Sequence, residues 1–295
     1  MTRSNRWTKA TTFLSAFLLT SPLFTAAVWA EEKAQRIVSI GGSVTEIIHQ
    51  LDEADRLIAR DSTSLFPEAV TALPDVGYIR RLSPEGVLSV DPDLIVTLDG
   101  AGPPEAVTVL KSAGVKFVSL PETYDAAGVV SKIEGVGQAL NVEDKAATMS
   151  ASARSAFSDL AAQTATIEKP QRVLFILSMS GGKILASGVD TAADGILKLA
   201  GAQNAIKEFS GYKALSEEAI ITAAPDAILM MARGGDHSAD ADELFAHPAI
   251  SQTPAAASKA LIKMDGLYLL GFGPRTPAAA TDLYKALYKA GAAAN

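Results

Sequence analysis

Short apolar segments alternate with stretches of helical periodicity along most of the chain. Runs of four to six residues rich in Val, Ile and Leu predict buried strands at 36–40, 57–60, 94–98, 115–120, 172–177, 227–231 and 260–264. Between them, apolar residues three or four positions apart predict helices, among them 44–51, 84–90, 105–113 and 193–200. Strands that alternate with helices are typical of an α/β fold built on a mostly parallel sheet.

Two stretches of the chain repeat the same order of residues. Residues 77–94 read GYIRRLSPEGVLSVDPDL, and residues 211–227 read GYKALSEEAIITAAPDA. Each contains Gly-Tyr, a Leu-Ser helix start, a short amphipathic helix and a Pro-Asp pair that leads into a strand. A repeat at this distance indicates two similar lobes rather than a solenoid, whose repeating units are shorter.

A long helical pattern at 141–168 separates the two halves of the chain. Asn141 is the predicted N-cap, and Glu143 and Asp144 in the first turn favour the helix dipole. No glycine or proline follows until Pro170, so about 25 residues would form a rod of roughly 35–40 Å. A rod of this length reaches from one lobe to the other, although single domains also contain surface helices as long.

The first 30 residues have the order of a signal peptide. The basic residues Arg3, Arg6 and Lys9 precede an apolar stretch, and small residues up to Ala30 provide a cleavage site. The apolar stretch is shorter than the roughly 20 residues that a membrane-spanning helix needs. We therefore expect export by the Sec route to the periplasm, which leaves 265 residues and changes the formal net charge from −7 to −10.

The composition excludes several classes of function. A negative net charge argues against nucleic acid as a partner, since nucleic acid attracts basic surfaces. The chain has no cysteine, which excludes thiolate catalysis, disulfides and thiolate metal sites. It has only three scattered histidines, too few for a zinc or manganese receptor. The absence of a Gly-x-Ser-x-Gly, Walker A or His-Glu-x-x-His motif favours a binding protein over an enzyme.

Three segments of the chain are informative together: GGSVTEI at 41–47, GYIRRLSPEG at 77–86 and LYLLGFGPRTP at 267–277. They resemble the haem-binding branch of the helical-backbone class of ABC-transporter binding proteins. The class carries cobalamin, ferric siderophores, haem and some transition metals. Its members have two Rossmann-like lobes, here residues 31–140 and 169–295, joined by one long α-helix, here 141–168, with the ligand cleft between the lobes.

The resemblance implies a function as well as a fold. It implies a monomer that binds haem as Fe(III), supplied by way of an outer-membrane haem receptor, and delivers it to an inner-membrane ABC permease and its ATPase. Cobalamin sites in the resembling proteins depend on tryptophan, and both tryptophans of this chain lie within residues 1–30. A ferric siderophore is the alternative ligand.

In the resembling branch, the tyrosine of the Gly-Tyr-x-Arg-x-Leu-Ser stretch is an axial ligand of the haem iron. That residue is Tyr78 in this sequence. A phenolate is a hard anionic oxygen that suits ferric haem. Arg80 lies two residues further on, and in an extended segment it would project on the same side as Tyr78. Its positive charge would then favour the ionised phenol over the neutral one.

Other residues are predicted to contact the remaining parts of haem. Propionates need cations or hydrogen-bond donors, and the predicted partners are Arg80, Arg81, Arg233, Arg275 and Ser43, the last at a helix N-terminus that favours anions. The predicted residues at the opposite face are Tyr268 and Phe272, which would stack on the ring, and Met179, in a loop after a strand, which would pack on it or coordinate the iron. His237 is a further possible neighbour of the iron.

The resemblance also implies one acidic residue on each lobe that docks into a basic pocket of the permease. Glu105, at the start of a helix after Gly-Pro-Pro, has the position expected in the first lobe. In the second lobe, Glu243, Asp240 and Asp236 are the alternatives.

Overall fold

The computed structural model describes residues 1–2, 33–232 and 241–289. The predicted signal peptide lies outside these residues except for its first two positions. So do four residues named in the predictions above: Arg233, Asp236, His237 and Asp240. In the part of the chain that is described, no helix combines the length and the apolar character needed to cross a membrane.

The first lobe is a four-stranded parallel sheet with helices around it. Its elements are β1 Ile37–Ile40, α1 Gly42–Gln50, β2 Leu57–Arg60, α2 Pro84–Leu88, β3 Leu94–Leu98, α3 Pro104–Ser112, β4 Lys116–Leu120 and α4 Ala126–Leu140, with short 3₁₀ helices at Ala54–Arg56 and Glu68–Ala72. The strand order is β2-β1-β3-β4. Every residue of the central strands β1 and β3 is buried, which explains their continuous apolar sequence.

The helix between the lobes is α5, Glu143–Thr164. It begins later than predicted, because Asn141 adopts a left-handed conformation (φ 57°) that ends α4 instead of capping α5, and it ends at Thr164 rather than at residue 168. Val142 precedes the first turn, which contains Glu143 and Asp144 as predicted. Its 22 residues span about 33 Å.

The second lobe is built on a mixed sheet. Its elements are β5 Arg172–Ser180, β6 Lys183–Ser187, α6 Ala192–Leu199, β7 Gln203–Asn204, β8 Tyr212–Ala214, α7 Glu217–Ala223, β9 Ala227–Ala232, α8 Ala241–Ala246, α9 Pro254–Ser258, β10 Leu261–Asp265, α10 Gly266–Leu270 and α11 Thr276–Tyr288, with a 3₁₀ helix at Ile250–Gln252. The strand order is β10-β9-β5-β6-β8, and β7 pairs with the start of β5. Strands β10, β9 and β5 run parallel to one another, as predicted.

The antiparallel part of this sheet corrects one prediction. Gly181 and Gly182 have φ of 55° and 74°, and they connect β5 to β6 as a two-residue turn of a hairpin, a position where positive φ is needed. Met179 was predicted to lie in a loop after a strand. Instead it lies in β5 opposite Ile184, and it packs against the apolar cluster of Ile176 and Leu244.

Helix α5 is packed against both lobes. It contacts α4 of the first lobe and α6 and α11 of the second. Phe157 and Leu160 of α5 belong to one buried apolar cluster together with Ile133 of α4, Ile196 of α6 and Leu283 of α11. The prediction of an α/β protein with two lobes joined by one long helix is confirmed.

The sequence repeat is also a repeat in three dimensions. Ser83 and Ser216 each cap a short helix, accepting a hydrogen bond from the backbone N–H three residues later. Downstream, the carboxylates of Asp93 and Asp226 each accept a hydrogen bond from the backbone N–H of an arginine at the start of the first strand of their lobe. The same polar contacts therefore connect the same elements in both lobes.

Candidate functional site

The two lobes face each other where the N-terminus of α1 meets the segment from β10 to α11. A cavity of about 350 Å³ lies between them, within the size range of small-molecule sites. Its wall from the first lobe consists of Leu65 and Phe66, and its wall from the second consists of Asp265, Leu267, Tyr268 and Arg275. Both walls are formed by segments that follow the carboxyl ends of parallel strands, where α/β folds bind ligands.

Tyr78 lies on the loop between β2 and α2, and 43% of its surface is exposed. The segment is not extended as predicted, because the N–H of Arg81 donates to the Tyr78 carbonyl over 2.7 Å and closes a turn. The N–H of Gly102 donates to the Ile79 carbonyl over 2.9 Å, which holds this turn against the loop after β3. The turn presents the Tyr78 ring to solvent.

Arg80 and Arg81 are exposed next to Tyr78. Within residues 33–232 and 241–289, the Arg80 side chain forms no ion pair with a carboxylate. Burial raises the pKa of the Glu122 carboxyl and of the Tyr124 and Tyr212 hydroxyls, and the positive charge of Arg80 acts in the opposite direction on all three. Because Tyr212 belongs to the second lobe, the charge of Arg80 acts on ionisable groups of both lobes.

Ser43 does not have the position predicted for a propionate contact. It is 1% exposed, and its hydroxyl accepts a hydrogen bond from the Lys132 ammonium over 3.2 Å. The same ammonium donates to Glu122 over 2.6 Å and to the Phe272 carbonyl of the second lobe over 3.0 Å. A buried cation of the protein itself therefore lies beside Ser43, where the prediction placed a ligand anion.

Arg275 joins the lobes instead of standing free. Its guanidinium donates to the Glu46 carboxylate over 2.9 Å. It also lies 3.5 Å from the centroid of the Phe66 ring and 5.3 Å from that of Tyr268, distances at which a cation is attracted to an aromatic face. The predicted propionate partner is thus already paired with a carboxylate across the lobe interface.

The two aromatic residues predicted to stack on haem differ in their placement. Tyr268 lines the inter-lobe cavity, and its hydroxyl donates to Asp282 over 2.9 Å. Burial and this carboxylate raise the pKa of Tyr268 to about 12. Phe272 is 1% exposed and belongs to the core, with its ring 5.3 Å from the Tyr124 ring in edge-to-face contact. The stacking prediction for Phe272 is wrong, because the core already covers its ring.

The family assignment follows from comparison of the sequence. The sequence pattern of the periplasmic binding protein family matches residues 37–267. The chain belongs to this family. Its fold of two α/β lobes is therefore the scaffold of a periplasmic binding protein.

Solved structures of periplasmic binding proteins resemble the chain over most of its length. BhuT, a periplasmic haem-binding protein solved in complex with two haems, is 38% identical with a TM-score of 0.81, over 85% of this chain and 97% of that chain. RhuT, a periplasmic haem-binding protein from Roseiflexus sp. RS-1 solved in the apo form, is 34% identical with a TM-score of 0.82, over 86% of this chain and 98% of that chain.

Relatives found by sequence alone are more distant. An uncharacterised ABC transporter substrate-binding lipoprotein of Bacillus subtilis is 28% identical over 205 residues, which are 68% of this chain and 65% of that protein. A vitamin B12-binding protein of Vibrio parahaemolyticus is 23% identical over 207 residues, which are 70% of this chain and 74% of that protein. This chain thus spans just under two thirds of the lipoprotein.

The cleft of this periplasmic binding protein brings together some predicted residues and adds others. Tyr78, Arg80 and Arg81 lie together, while Tyr268 and Arg275 line the inter-lobe cavity. Glu122, Tyr124 and Lys132 were missed, because the contacts of Lys132 with Ser43 and Phe272 join segments far apart in the sequence. Tyr212 was indicated only as the repeat counterpart of Tyr78.

The two acids predicted to dock the permease are exposed. Glu105 lies in the first turn of α3, and Glu243 lies in the first turn of α8.

His247 has a structural role: its Nδ1 accepts the N–H of Ala249, and its Nε2 is 3.0 Å from the Gly182 carbonyl oxygen.

Proposed function

We propose that this periplasmic binding protein captures ferric haem in the cleft between its lobes and delivers it to an inner-membrane ABC permease. One observation carries the proposal. An exposed phenol, Tyr78, lies two residues from the exposed Arg80, which forms no ion pair with a carboxylate of the described residues, in a chain to which four solved haem-binding proteins are between 32% and 38% identical.

The chemistry of these residues fits the cargo. A Tyr78 phenolate would supply the hard anionic oxygen that ferric iron accepts as an axial ligand. Arg80 would place a positive charge near the ligated oxygen, and Arg81 is exposed and available for a propionate. Arg275 is a weaker choice for a propionate, since Glu46 already binds it. Arg233, which lies outside the described residues, remains a proposed propionate contact.

Ligand selectivity tests the proposal against the other ligands of this class. Isothermal titration of the purified protein with hemin, cobalamin and a ferric hydroxamate siderophore should show saturable binding of hemin only. Saturable binding of cobalamin or the siderophore in the absence of hemin binding would overturn the haem assignment while leaving the family intact.

The lobes should move little when the cleft is occupied. Contacts that tie them together in addition to α5 include the ion pair of Arg275 with Glu46 and the hydrogen bond from Lys132 to the Phe272 carbonyl. One continuous helix also resists the bending that extended crossovers allow. Solution scattering should therefore give nearly equal radii of gyration with and without hemin, and a contraction of several ångströms would contradict this.

Glu105→Ala should impair haem uptake in cells and leave hemin affinity unchanged. The carboxylate is exposed at the start of α3, and the exposed Val109 follows one turn later on the same side of the helix, so the pair forms a surface patch that a permease can contact. Glu143→Ala is the matched control, since Glu143 is also exposed in the first turn of a helix, α5. Loss of hemin binding in Glu105→Ala would place this residue in the pocket instead.

A further inference from the structure

The two Gly-Tyr pairs of the repeat are held by similar backbone hydrogen bonds in the two lobes. Gly77 and Gly211 have φ of 102° and 84°, values that glycine adopts readily. The Gly77 carbonyl accepts the N–H of Ser62, just after β2, over 2.9 Å, and the Gly211 carbonyl accepts the N–H of Gly188, just after β6, over 2.8 Å. Each tyrosine therefore follows a glycine that is bound to the chain just beyond the end of a neighbouring strand.

Both tyrosines leave a large part of the ring exposed. The exposed fraction is 43% for Tyr78 and 37% for Tyr212. Tyr212 lies in β8, which pairs with β6, and the charge of Arg80, two residues from Tyr78, acts on its hydroxyl. The repeat thus gives each lobe one exposed tyrosine.

The two tyrosines differ in their chemical surroundings. Tyr78 has Arg80 two positions later, whereas the residue two positions after Tyr212 is Ala214. Burial raises the pKa of Tyr212, and the Thr191 hydroxyl and the Ala193 backbone N–H only partly oppose it.

The partner of Tyr212 in the β6–β8 ladder is Ser187, whose hydroxyl is hydrogen-bonded to that of Thr191, the N-cap of α6. Tyr212 therefore lies beside the start of α6, and Gly195 of this helix lies against Tyr124 of the first lobe.

The Tyr212 ring is held from behind. Its centroid is 6.4 Å from that of Phe175, with the planes at 65°, an edge-to-face arrangement that stabilises aromatic pairs. Phe175 is fully buried in β5. A ring supported on one side by the core and open on the other presents a flat apolar surface to the cleft.

We propose that Tyr212 is the wall of the cleft opposite Tyr78 and packs its ring on the face of the macrocycle that Tyr78 does not ligate. This inference rests on the proposed function, and it assigns different tasks to the two copies of the repeat. Tyr78 provides an oxygen for the iron, and Tyr212 provides an aromatic surface whose hydroxyl stays bound to the protein. The substrate class is a flat aromatic macrocycle, with or without a metal.

Two probes separate the two tasks. Hemin has both an iron and a flat face, whereas metal-free protoporphyrin IX has only the face. Tyr212→Ala should weaken the binding of both probes about tenfold or more and keep the phenolate-to-iron charge-transfer band of the hemin complex. Tyr212→Phe retains the ring and should match wild type with both probes. Tyr78→Phe should weaken hemin binding only.

Other outcomes would overturn the inference. If Tyr212→Phe weakens hemin binding or reduces the number of haems bound, the hydroxyl is a ligand and the assignment is wrong. Unchanged protoporphyrin IX affinity in Tyr212→Ala would show that the ring does not touch the macrocycle. Tyr212→Leu, which keeps apolar bulk without an aromatic face, replaces the alanine variant if the latter does not fold. Absence of hemin binding by wild type would instead refute the proposed function itself.

Discussion

Tyr78→Phe is expected to lower the affinity for hemin by about a hundredfold or more. Loss of a group that only supports a metal ligand typically costs about 10–100-fold in metal affinity, and loss of the ligand itself should cost at least as much. The substitution keeps the ring and removes only the oxygen. Because Tyr78 is exposed and packs little in the unliganded protein, its replacement should not change the unfolding temperature measurably.

Tyr212→Phe is the matched control for this variant. It removes the same hydroxyl at the repeat-equivalent position, and it should leave hemin affinity within a few-fold of wild type. Titration of both variants by absorbance gives the comparison. Equal affinity of Tyr78→Phe and wild type would mean that another side chain holds the iron.

Lys132→Met is expected to reduce the free energy of unfolding by about 3–5 kcal/mol, the usual cost of removing one partner of a buried ion pair. The Lys132 side chain is fully buried, and its partner Glu122 is 17% exposed. Burial lowers the pKa of Lys132 and raises that of Glu122, so burial opposes the charged form of both groups. The variant would leave the Glu122 carboxylate without its cation and the Phe272 carbonyl without this donor.

Two further variants make the Lys132 experiment specific. Lys145→Met removes an ammonium that also pairs with a glutamate, Glu53, but whose side chain is 46% exposed; it should cost no more than about 1 kcal/mol. The double variant Lys132→Met/Glu122→Gln removes both charges and should recover part of the lost stability. Equal effects of Lys132→Met and Lys145→Met in urea unfolding would contradict a role for burial.

The stability deficit of Lys132→Met should depend on pH in a direction that Glu122 determines. The folded pKa of this carboxyl lies above its unfolded value because of burial, and removal of Lys132 removes an interaction that lowers it. Between the unfolded and the folded pKa of Glu122, the folded state binds more protons than the unfolded state. The free energy of unfolding therefore falls as the pH rises through this range. The deficit should therefore shrink when the pH is lowered from about 7 to about 5, and a growing deficit would contradict the argument.

The strands could be predicted from the sequence because their patterns are locally decisive. Strands β2 and β3 lie at the predicted residues, 57–60 and 94–98. In an α/β chain, a short apolar run between turn residues is typical of a buried strand. The repeat predicted two lobes because its signals are also local. Ser83 and Ser216 each cap a helix through a hydrogen bond to the backbone three residues later. Tyr78 was predicted as the iron ligand through family resemblance, because no local pattern indicates this role.

Other features depend on contacts between distant segments. Ser43 has the sequence position of an anion site, but Lys132, 89 residues away, donates a hydrogen bond to it. From the sequence, Arg275 was predicted to be free to bind a propionate. In the fold, its guanidinium forms an ion pair with Glu46. Phe272 has no local signal to distinguish core from cleft. Because such long-range pairs decide which charges remain free, the sequence alone could not predict the surroundings of these residues.

The visible spectrum of the purified wild-type protein with one equivalent of hemin tests the central claim most directly. Ligation by Tyr78 predicts a high-spin ferric spectrum with a phenolate-to-iron charge-transfer band, and this band should be absent from Tyr78→Phe under the same conditions. A wild-type spectrum identical to that of free hemin, or a charge-transfer band that persists in Tyr78→Phe, would contradict the account.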